Sequence, residues 1–388
     1  MIHQQHIVIV GAGIVGLSTA FTLLAQGMRN VTVLEQSAVD HRRSSSHGYS
    51  RLLRFEYGPD AFYSKMVRLS LKGWRSLERV AGRALYTPTG LLLLGNQDDN
   101  FAQPSYQVAR GLGLPTERLS KEDCRLRFPE FDTHPFNTLT YNREAGILHA
   151  STCLQTLRDL ILDFGGEIYE SCRVTQFTND SQLRPIRLHL SSGTEFLADR
   201  VVLATGCWVH RLLADLRLPV CPTLQYLLYF AGLPASLFSA GTFPAFISQD
   251  LYGIPIHKGC NGWLKATSHK FGVPIDPDEV STSDERVIAH ISRQLRELLP
   301  VLRNAELARI DACMYDVTPD EDFILDCLPH DPRVIFATGL SGHGFKFGLL
   351  LGEILSSMVC GTQPPVPLDR FRLARFTQLQ ARQASIVA

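Results

Sequence analysis

The sequence has no excess charge of either sign, no paired cysteines and no unbroken hydrophobic run of membrane length. Lysine plus arginine and aspartate plus glutamate both number 38, so the formal net charge is zero. This balance argues against nucleic acid or an anionic membrane as a partner. The nine cysteines are scattered, odd in number and never spaced as CxxC. They predict neither a disulfide framework nor a metal site, and they favour a reducing, cytoplasmic location.

Membrane-crossing and secretory patterns are missing as well. The most apolar later stretch, LQYLLYFAGLPASLF, is broken by Gly232 and Pro234. The opening residues, MIHQQHIVIVGAG, run straight into a strand pattern, without the basic and apolar regions of a signal peptide. What is present, 388 residues with 45% hydrophobic and 20% charged side chains, is typical of a folded protein with two domains.

A glycine-rich turn follows the first predicted strand. Gly11, Gly13 and Gly16 fit G-x-G-x-x-G, between a β-branched run and a helical pattern. In this motif the glycines allow a tight turn, close approach of the backbone to a pyrophosphate, and close packing of helix on strand. Glu35 ends the next strand, where a carboxylate would accept hydrogen bonds from ribose hydroxyls. These features predict a dinucleotide site, but they do not separate FAD from NAD.

The remaining patterns place nucleotide-binding segments at the start, middle and end of the chain. Residues 167–177 are predicted to form one strand, and residues 331–361 a strand, a glycine-rich turn and a helix. Residues 220–275 alternate in short apolar and polar runs, typical of an antiparallel sheet. We therefore expect a mixed α/β (α+β) fold with two discontinuous domains. The Rossmann-like, dinucleotide-binding domain takes residues 1–90, 150–215 and 310–388, and the substrate domain, with a large, mostly antiparallel sheet, takes residues 91–149 and 216–309.

Three further stretches carry a family resemblance. SSSHGYSRLLRFEYG, ACMYDVTPDEDFILD and GLSGHGFKFG together resemble the monomeric sarcosine oxidase family of amine-oxidising flavoproteins, and they resemble its L-pipecolate oxidase branch equally well. The resemblance covers essentially the whole chain, although residues 95–150 and 220–300 match only loosely. It implies an FAD domain, and oxidation of the C–N bond of a secondary amine with oxygen as the acceptor. The products would be an imine and hydrogen peroxide.

The resemblance also implies residues for substrate binding. Arg54 and Lys346 fall on the family's carboxylate-binding positions, and an arginine fork plus a lysine suits a planar anion. His269 matches a histidine of the substrate pocket, and Tyr252 is a weaker candidate there. Tyr315 would line the substrate side.

Oxygen activation and flavin contacts are implied at other positions. Lys265 matches the family's oxygen-activating lysine, since a buried cation stabilises superoxide. It would share a strand face with His269, while Lys258 and Lys270 stay alternatives on composition alone. Gly342 and Gly344 open a helix whose dipole can stabilise negative charge on the reduced flavin.

The segment before the second predicted helix supplies residues near the flavin ring. His47 and Arg51 match catalytic or potential-tuning positions, and they fit ribose or phosphate contacts equally well. Ser46 and Val174 complete the implied cofactor-binding set. Two departures from the family pattern, Trp263 before Lys265 and Asp316 after Tyr315, leave the substrate open.

Cys313 is the cysteine to which the resemblance gives a role. It matches the position of an 8α-S-cysteinyl bond to FAD, and a nearby cation would favour its thiolate. In a strand, Cys313 and Tyr315 would point the same way. The other eight cysteines are expected to be small core residues.

The expected activity is oxidation of a secondary α-amino acid, such as an N-methyl, N-alkyl or cyclic imino acid. Sarcosine and L-pipecolate are examples. The alternatives are a dehydrogenase that passes electrons to a protein or quinone, a flavoprotein without turnover, and an NAD enzyme. The partners would be the amino acid and O2, and the resemblance favours a monomer.

Overall fold

A computed structural model describes residues 2–96, 99–179, 184–279 and 284–376. Within these ranges none of the helices combines the length and the apolar character that crossing a bilayer requires. The α-helices are Ile14–Ala25, Ala61–Ala81, Ala102–Gly111, Lys121–Arg127, Ala150–Asp163, Val209–Leu212, Ala235–Phe238, Glu285–Leu298 and Gly348–Cys360. Short 3₁₀ turns are Ile2–Gln4, Gly206–Trp208, Ala214–Leu216, Pro300–Arg303, Phe345–Phe347 and Asp369–Phe371.

A central six-stranded sheet joins distant parts of the sequence. The strands are parallel, except that the edge strand Ile324–Leu328 is antiparallel to its neighbour. Strand Ile7–Val10, which the β-branched run near the start of the sequence predicts, is fully buried in the middle of this sheet. In spatial order the strands are Ile324–Leu328, Asp331–Thr338, Arg200–Leu203, Ile7–Val10, Val31–Leu34 and Glu167–Tyr169.

An eight-stranded sheet forms the second large layer. It is antiparallel apart from one parallel pair, Ala245–Ser248 with Leu91–Gly95. In spatial order the strands are Glu306–Val317, Cys221–Ala231, Leu264–Ser268, Leu251–Ile254, Ala245–Ser248, Leu91–Gly95, Thr138–Asn142 and Thr116–Arg118. The described residues also form two three-stranded sheets, Val174–Thr178 with Ile186–Leu190 and Glu195–Ala198, and Arg51–Leu53 with Gly146–Leu148 and Tyr86–Thr87.

Two helices cover the central sheet in very close contact. A Cβ on Gly348 would lie 2.4 Å from Cγ1 of Ile14, and one on Gly352 would lie 2.6 Å from the backbone of Ser18. Helix Gly348–Cys360 can therefore press directly on helix Ile14–Ala25. This contact fixes the end of the first helix that opens onto the glycine motif.

The mixed α/β class with a large, mostly antiparallel sheet is confirmed, but two details differ from the sequence expectation. The single strand expected over residues 167–177 is wrong: it is two strands of different sheets, Glu167–Tyr169 and Val174–Thr178. The chain turns between them at Ser171, which has a left-handed φ of 57°. The expected domain boundary between residues 309 and 310 falls inside one continuous strand, Glu306–Val317.

Candidate active site

The glycine motif forms a tight turn at the carboxyl end of the first strand. Gly11 has a φ of 105°, and a Cβ there would lie 2.4 Å from the carbonyl oxygen of Ala204. A Cβ on Gly16 would lie 1.9 Å from the carbonyl oxygen of Gly11. A side chain therefore fits at neither position, which explains the first and third glycines in terms of packing.

Two predicted cofactor residues hold the turn in place. Glu35 is buried, and its Oε2 accepts a hydrogen bond from the Ala12 amide at 2.8 Å. The Oγ of Ser46 accepts one from the Ile14 amide at 3.0 Å, at the first turn of the helix. Both side chains are thus fixed against the glycine motif, although they come from different segments.

A first cavity of about 940 Å³ extends from this turn. It lies at the carboxyl ends of parallel strands, the usual position for ligands in such sheets. The buried Oγ1 of Thr205, in its wall, has no hydrogen-bond partner among the described residues. Of the predicted residues, the lining includes Gly11, Gly13, Glu35, Ser46 and Val174.

A second cavity, of about 1540 Å³, continues from the first and shares Ile14, Ser46 and Asp316 with it. It lies between the glycine-rich turn of residues 341–346 and one face of the eight-stranded sheet. Its lining brings together predicted residues from five parts of the chain: Ser46, Arg51, Arg54, Tyr252, Lys265, His269, Tyr315, Gly342, Gly344 and Lys346.

Two basic side chains, the buried Lys346 and the half-buried Arg54, meet at one wall of the second cavity. The Nζ of Lys346 donates to the Tyr57 hydroxyl and to the His343 carbonyl, each at 2.9 Å. The guanidinium of Arg54 lies over the Tyr57 ring, 4.4 Å from its centroid, and its buried Nη1 finds no acceptor in the part of the chain that the structure describes. Burial, together with repulsion from Arg54, holds the pKa of Lys346 well below its usual range. An anion bound here would gain from both charges.

The opposite wall carries a second buried lysine. Lys265 is 3% exposed, and its Nζ donates to the Ser50 carbonyl at 3.3 Å. Burial lowers the pKa of Lys265 to about 7, and repulsion from Arg51 adds to the effect. Its Nζ lies 5.7 Å from the Tyr252 ring. Burial raises the pKa of Tyr252 to about 12 and holds that of Tyr315 well above its usual value, so both phenols stay protonated.

The glycine-rich turn lies against Tyr315. Gly342 has a φ of 74°, and a Cβ there would lie 2.4 Å from Cε2 of Tyr315. At Gly344 a Cβ would lie 2.6 Å from the Leu340 side chain. The turn continues into Phe345–Phe347 and helix Gly348–Cys360, whose positive end therefore faces the cavity region.

Arg51 lines the second cavity and is held there by backbone carbonyls. Its guanidinium donates to the carbonyls of Ser45 and Ser50 at 2.9 and 3.0 Å. Cys313 is buried beside it, with Sγ 4.0 Å from the Ser45 carbonyl oxygen. Cys313 itself does not line either cavity, whereas its neighbour Tyr315 does.

Two predicted residues differ from their expected surroundings. His47 lines neither cavity, and its Nδ1 lies 2.8 Å from Oδ1 of Asp40. His269 lies just beyond the strand Leu264–Ser268 and so does not share that strand with Lys265. It still lines the same cavity, with Nε2 2.6 Å from the Gln249 carbonyl oxygen, and burial lowers its pKa.

A model of the DAO family, described as "FAD dependent oxidoreductase", matches residues 6–358. The chain belongs to this family. The resemblance to sarcosine oxidases is confirmed by a relative from Mus musculus named peroxisomal sarcosine oxidase, which is 33% identical over 96% of both chains. The N-methyl-L-tryptophan oxidase of Yersinia pestis strain Pestoides F is 29% identical over 95% of this chain and 99% of its own. An L-proline dehydrogenase structure from P. horikoshii has a TM-score of 0.84 at 20% identity, over 97% and 98% of the two chains, and shows the shared fold.

As a member of the DAO family, the protein is an FAD-dependent oxidoreductase, and its first cavity suits that cofactor. Gly11, which admits no Cβ, and Gly13 bring the backbone to the cavity surface. Glu35 offers carboxylate oxygens, and Thr205 a buried hydroxyl without a partner among the described residues. Gly11, Gly13, Glu35, Ser46 and Thr205 would hold the nucleotide part of FAD.

Sequence reasoning missed residues that position this DAO-family site. Tyr57 bridges Arg54 and Lys346, and the indole of Trp74 donates to the Lys346 carbonyl at 2.8 Å. Tyr57 is the next-to-last residue of the stretch SSSHGYSRLLRFEYG, so its aromatic ring could have been proposed as a support for Arg54. Trp74 lies in a helix, and no local pattern points from it to residue 346.

Proposed function

We propose that the protein oxidises the C–N bond of a secondary α-amino acid, with FAD as cofactor and oxygen as electron acceptor. The amine loses two electrons and two protons to become an imine, and oxygen gains both to become hydrogen peroxide. The substrate is an N-methyl, N-alkyl or cyclic imino acid, of which sarcosine and L-pipecolate are examples. The names of the relatives, which include sarcosine and N-methyl-L-tryptophan oxidases, support this substrate class.

The observation that carries the proposal is the pair Arg54 and Lys346. Both cations line the cavity, Arg54 has a buried donor without a partner among the described residues, and Lys346 is 4% exposed. Glu56, a buried carboxylate that accepts from Asn142 at 2.9 Å, offsets part of this charge. A substrate carboxylate would neutralise the rest and fix the orientation of the amine.

The remaining residues divide the work around that anchor. When bound, FAD supplies the two-electron chemistry, accepting a hydride from carbon and passing electrons to oxygen. Tyr252 and Tyr315 offer protonated hydroxyls to the bound substrate, and His269 lies at its edge. Lys265, at the opposite wall, stabilises negative charge on oxygen. Gly342 and Gly344 line the cavity, and their backbone amides and the following helix would stabilise negative charge on the reduced cofactor.

Covalent attachment of FAD at Cys313 belongs to the same proposal. Cys313 is buried, and Arg51 is among its electrostatic neighbours, so a positive charge lies near the thiol that would form the bond. Arg51, which lines the second cavity, would support the flavin ring from the segment that also carries Ser46, whereas His47 lines neither cavity and its flavin role stays a prediction. The division into cofactor-binding and substrate-binding segments, the monomeric state, the cytoplasmic location and the absence of nucleic-acid or membrane partners stay predictions.

A peroxide-coupled screen of secondary amino acids tests the activity. We expect one peroxide for each amine oxidised, and a flavin reduction rate that rises with pH because the neutral amine reacts. A rate that is flat from about pH 6 to pH 10 would contradict the amine requirement. Anaerobic bleaching without peroxide on admission of air would favour the alternative, a dehydrogenase with another acceptor. If no amine bleaches the flavin, the protein would be a flavoprotein that does not oxidise secondary amines.

A further inference from the structure

Lys265 has a direct neighbour on the next strand of the eight-stranded sheet. Tyr229, in strand Cys221–Ala231, is paired in register with Lys265, in strand Leu264–Ser268. Residues paired in this way project from the same face, with Cβ atoms about 5 Å apart. Tyr229 is 1% exposed and Lys265 is 3% exposed. The sheet thus buries a phenol beside the cation that we assign to oxygen.

The hydroxyl of Tyr229 has no hydrogen-bond partner among the residues that the structure describes. Its ring is held by Tyr49 at 5.6 Å and by Trp263 at 6.0 Å, both centroid to centroid. A buried hydroxyl without a partner is unfavourable for folding, and phenylalanine would fill the same space without that cost. Packing therefore explains why an aromatic ring is present at this position, but it does not explain the hydroxyl.

The surroundings of this hydroxyl are electrostatically unusual. Tyr229 and Lys265 share Arg51, Cys313 and Asp311 as charge-bearing or titratable neighbours, and Tyr252 also faces Tyr229. Burial is the main reason that the pKa of Tyr229 is raised, so the phenol keeps its proton. The half-buried Arg51, the buried Lys265 and one protonated phenol therefore lie close together. These groups would stabilise a small molecule that accepts electrons and becomes negatively charged.

We propose that the Tyr229 hydroxyl, together with Lys265, forms the oxygen contact, donating a hydrogen bond to oxygen as it becomes negatively charged. This inference rests on the proposed oxidase function. Oxygen takes two electrons from the amine by way of the cofactor, and two protons, to give hydrogen peroxide. Tyr229 keeps its own proton throughout, because it only donates a hydrogen bond.

Tyr229→Phe tests the proposal in the holoenzyme with the two half-reactions measured separately. Anaerobic reduction by the amine should keep the wild-type rate. Reoxidation of the reduced enzyme by oxygen should be about tenfold slower, the size expected for losing a hydrogen bond to a charged group. Wild-type reoxidation, or an equal loss in both half-reactions, would overturn the proposal.

Tyr49→Phe is the matched control. Tyr49 belongs to the same aromatic group, but its hydroxyl is already bonded, accepting from Asn261 Nδ2 at 3.3 Å. We expect its reoxidation rate to be unchanged. A loss equal to that of Tyr229→Phe would assign the effect to ring packing and overturn the proposal.

Thermal unfolding of the Tyr229→Phe holoenzyme gives a readout independent of activity. Because the hydroxyl has no protein partner among the described residues, the variant should have a melting temperature equal to or above that of the wild type. A clear decrease would mean that the hydroxyl has a structural role instead.

The Lys265→Met variant distinguishes a failure of this inference from a failure of the proposed oxygen role of Lys265. If Lys265→Met slows reoxidation and Tyr229→Phe does not, only the role of Tyr229 fails. If Lys265→Met also reoxidises normally, the oxygen role of Lys265 fails with it.

Discussion

A methyl group on Gly342 would lie 2.4 Å from Cε2 of Tyr315. The glycine-rich turn and the tyrosine are thus packed so closely that each fixes the position of the other. We predict that Gly342→Ala displaces Tyr315 and lowers the free energy of unfolding by more than the roughly 1 kcal/mol that a left-handed φ alone costs alanine. Urea unfolding measures the change.

Gly232→Ala is the control for that experiment. Gly232 has a similar φ of 79°, but no atom lies within 4 Å of its added Cβ. The Gly232→Ala variant therefore measures the free-energy cost of the left-handed backbone alone. Equal losses in the two variants would show that Tyr315 moves without cost, contrary to the packing argument.

Arg54→Gln should weaken substrate binding through the carboxylate. The buried Nη1 of Arg54, without a partner among the described residues, faces the same cavity as Lys346, so its loss removes half of the proposed clamp. We expect KM for a secondary amino acid to rise at least about tenfold. The matching amine without a carboxylate should react equally poorly with both enzymes. The exposed Arg110→Gln serves as the control, and an unchanged KM in Arg54→Gln would contradict the assignment.

Cys313→Ala should release the flavin on acid precipitation, while wild-type flavin should stay with the protein. Cys207→Ala is the matched control, because Cys207 is also buried and its Sγ lies 3.7 Å from Oγ of the same Ser45. Absorbance of the supernatant and pellet decides the outcome. Release from the wild type as well would show that the cofactor is not covalently bound.

Lys265 makes the stability of the flavin-free protein depend on pH. Its folded pKa of about 7 lies below the unfolded value of 10.5, so between these values the unfolded chain binds more protons than the folded one. The free energy of unfolding should therefore rise with pH across this range, and Lys265 contributes about 1 kcal/mol per pH unit to the rise. Below pH 7 the full cost of burying the charged Lys265 is present.

Lys265→Met, compared with its parent in a flavin-free Cys313→Ala background, should be more stable at pH 6 and should show a flatter rise toward pH 10. Urea unfolding at several pH values measures both. Lys346, whose pKa is also lowered by burial, keeps part of the slope in both proteins. Parallel stability curves for the two proteins would mean that Lys265 is not a buried cation.

Local patterns predicted the parts of the site that are local in sequence. The βαβ unit with Gly11, Gly13, Gly16 and Glu35, and the turn before helix Gly348–Cys360, occur where the sequence placed them. The break at Ser171 was missed because residues 167–177 were interpreted as one strand, and the left-handed φ of Ser171 that divides them has no signal in the local pattern.

Long-range relationships were beyond such patterns. The pairing of Tyr229 with Lys265 depends on the register of two strands, and the contact of Trp74 with the Lys346 carbonyl depends on how helix Ala61–Ala81 is docked. The family resemblance gave residues such as Arg54 and Lys346, but not the Tyr57 ring that joins them. Asp316, which lines both cavities, was noticed only as a departure from the pattern.

The order of strands in the central sheet has a consequence for how the protein is made. The strand Ile7–Val10 lies next to Arg200–Leu203, which in turn pairs with Asp331–Thr338. A nascent chain that has not reached this last strand lacks Ala337 and Leu340, which line the first cavity. Because these late residues form part of the cavity wall, we expect FAD to be captured only after nearly the whole chain has been synthesised. Flavin supply should therefore affect the maturation of finished chains, not the early steps of synthesis.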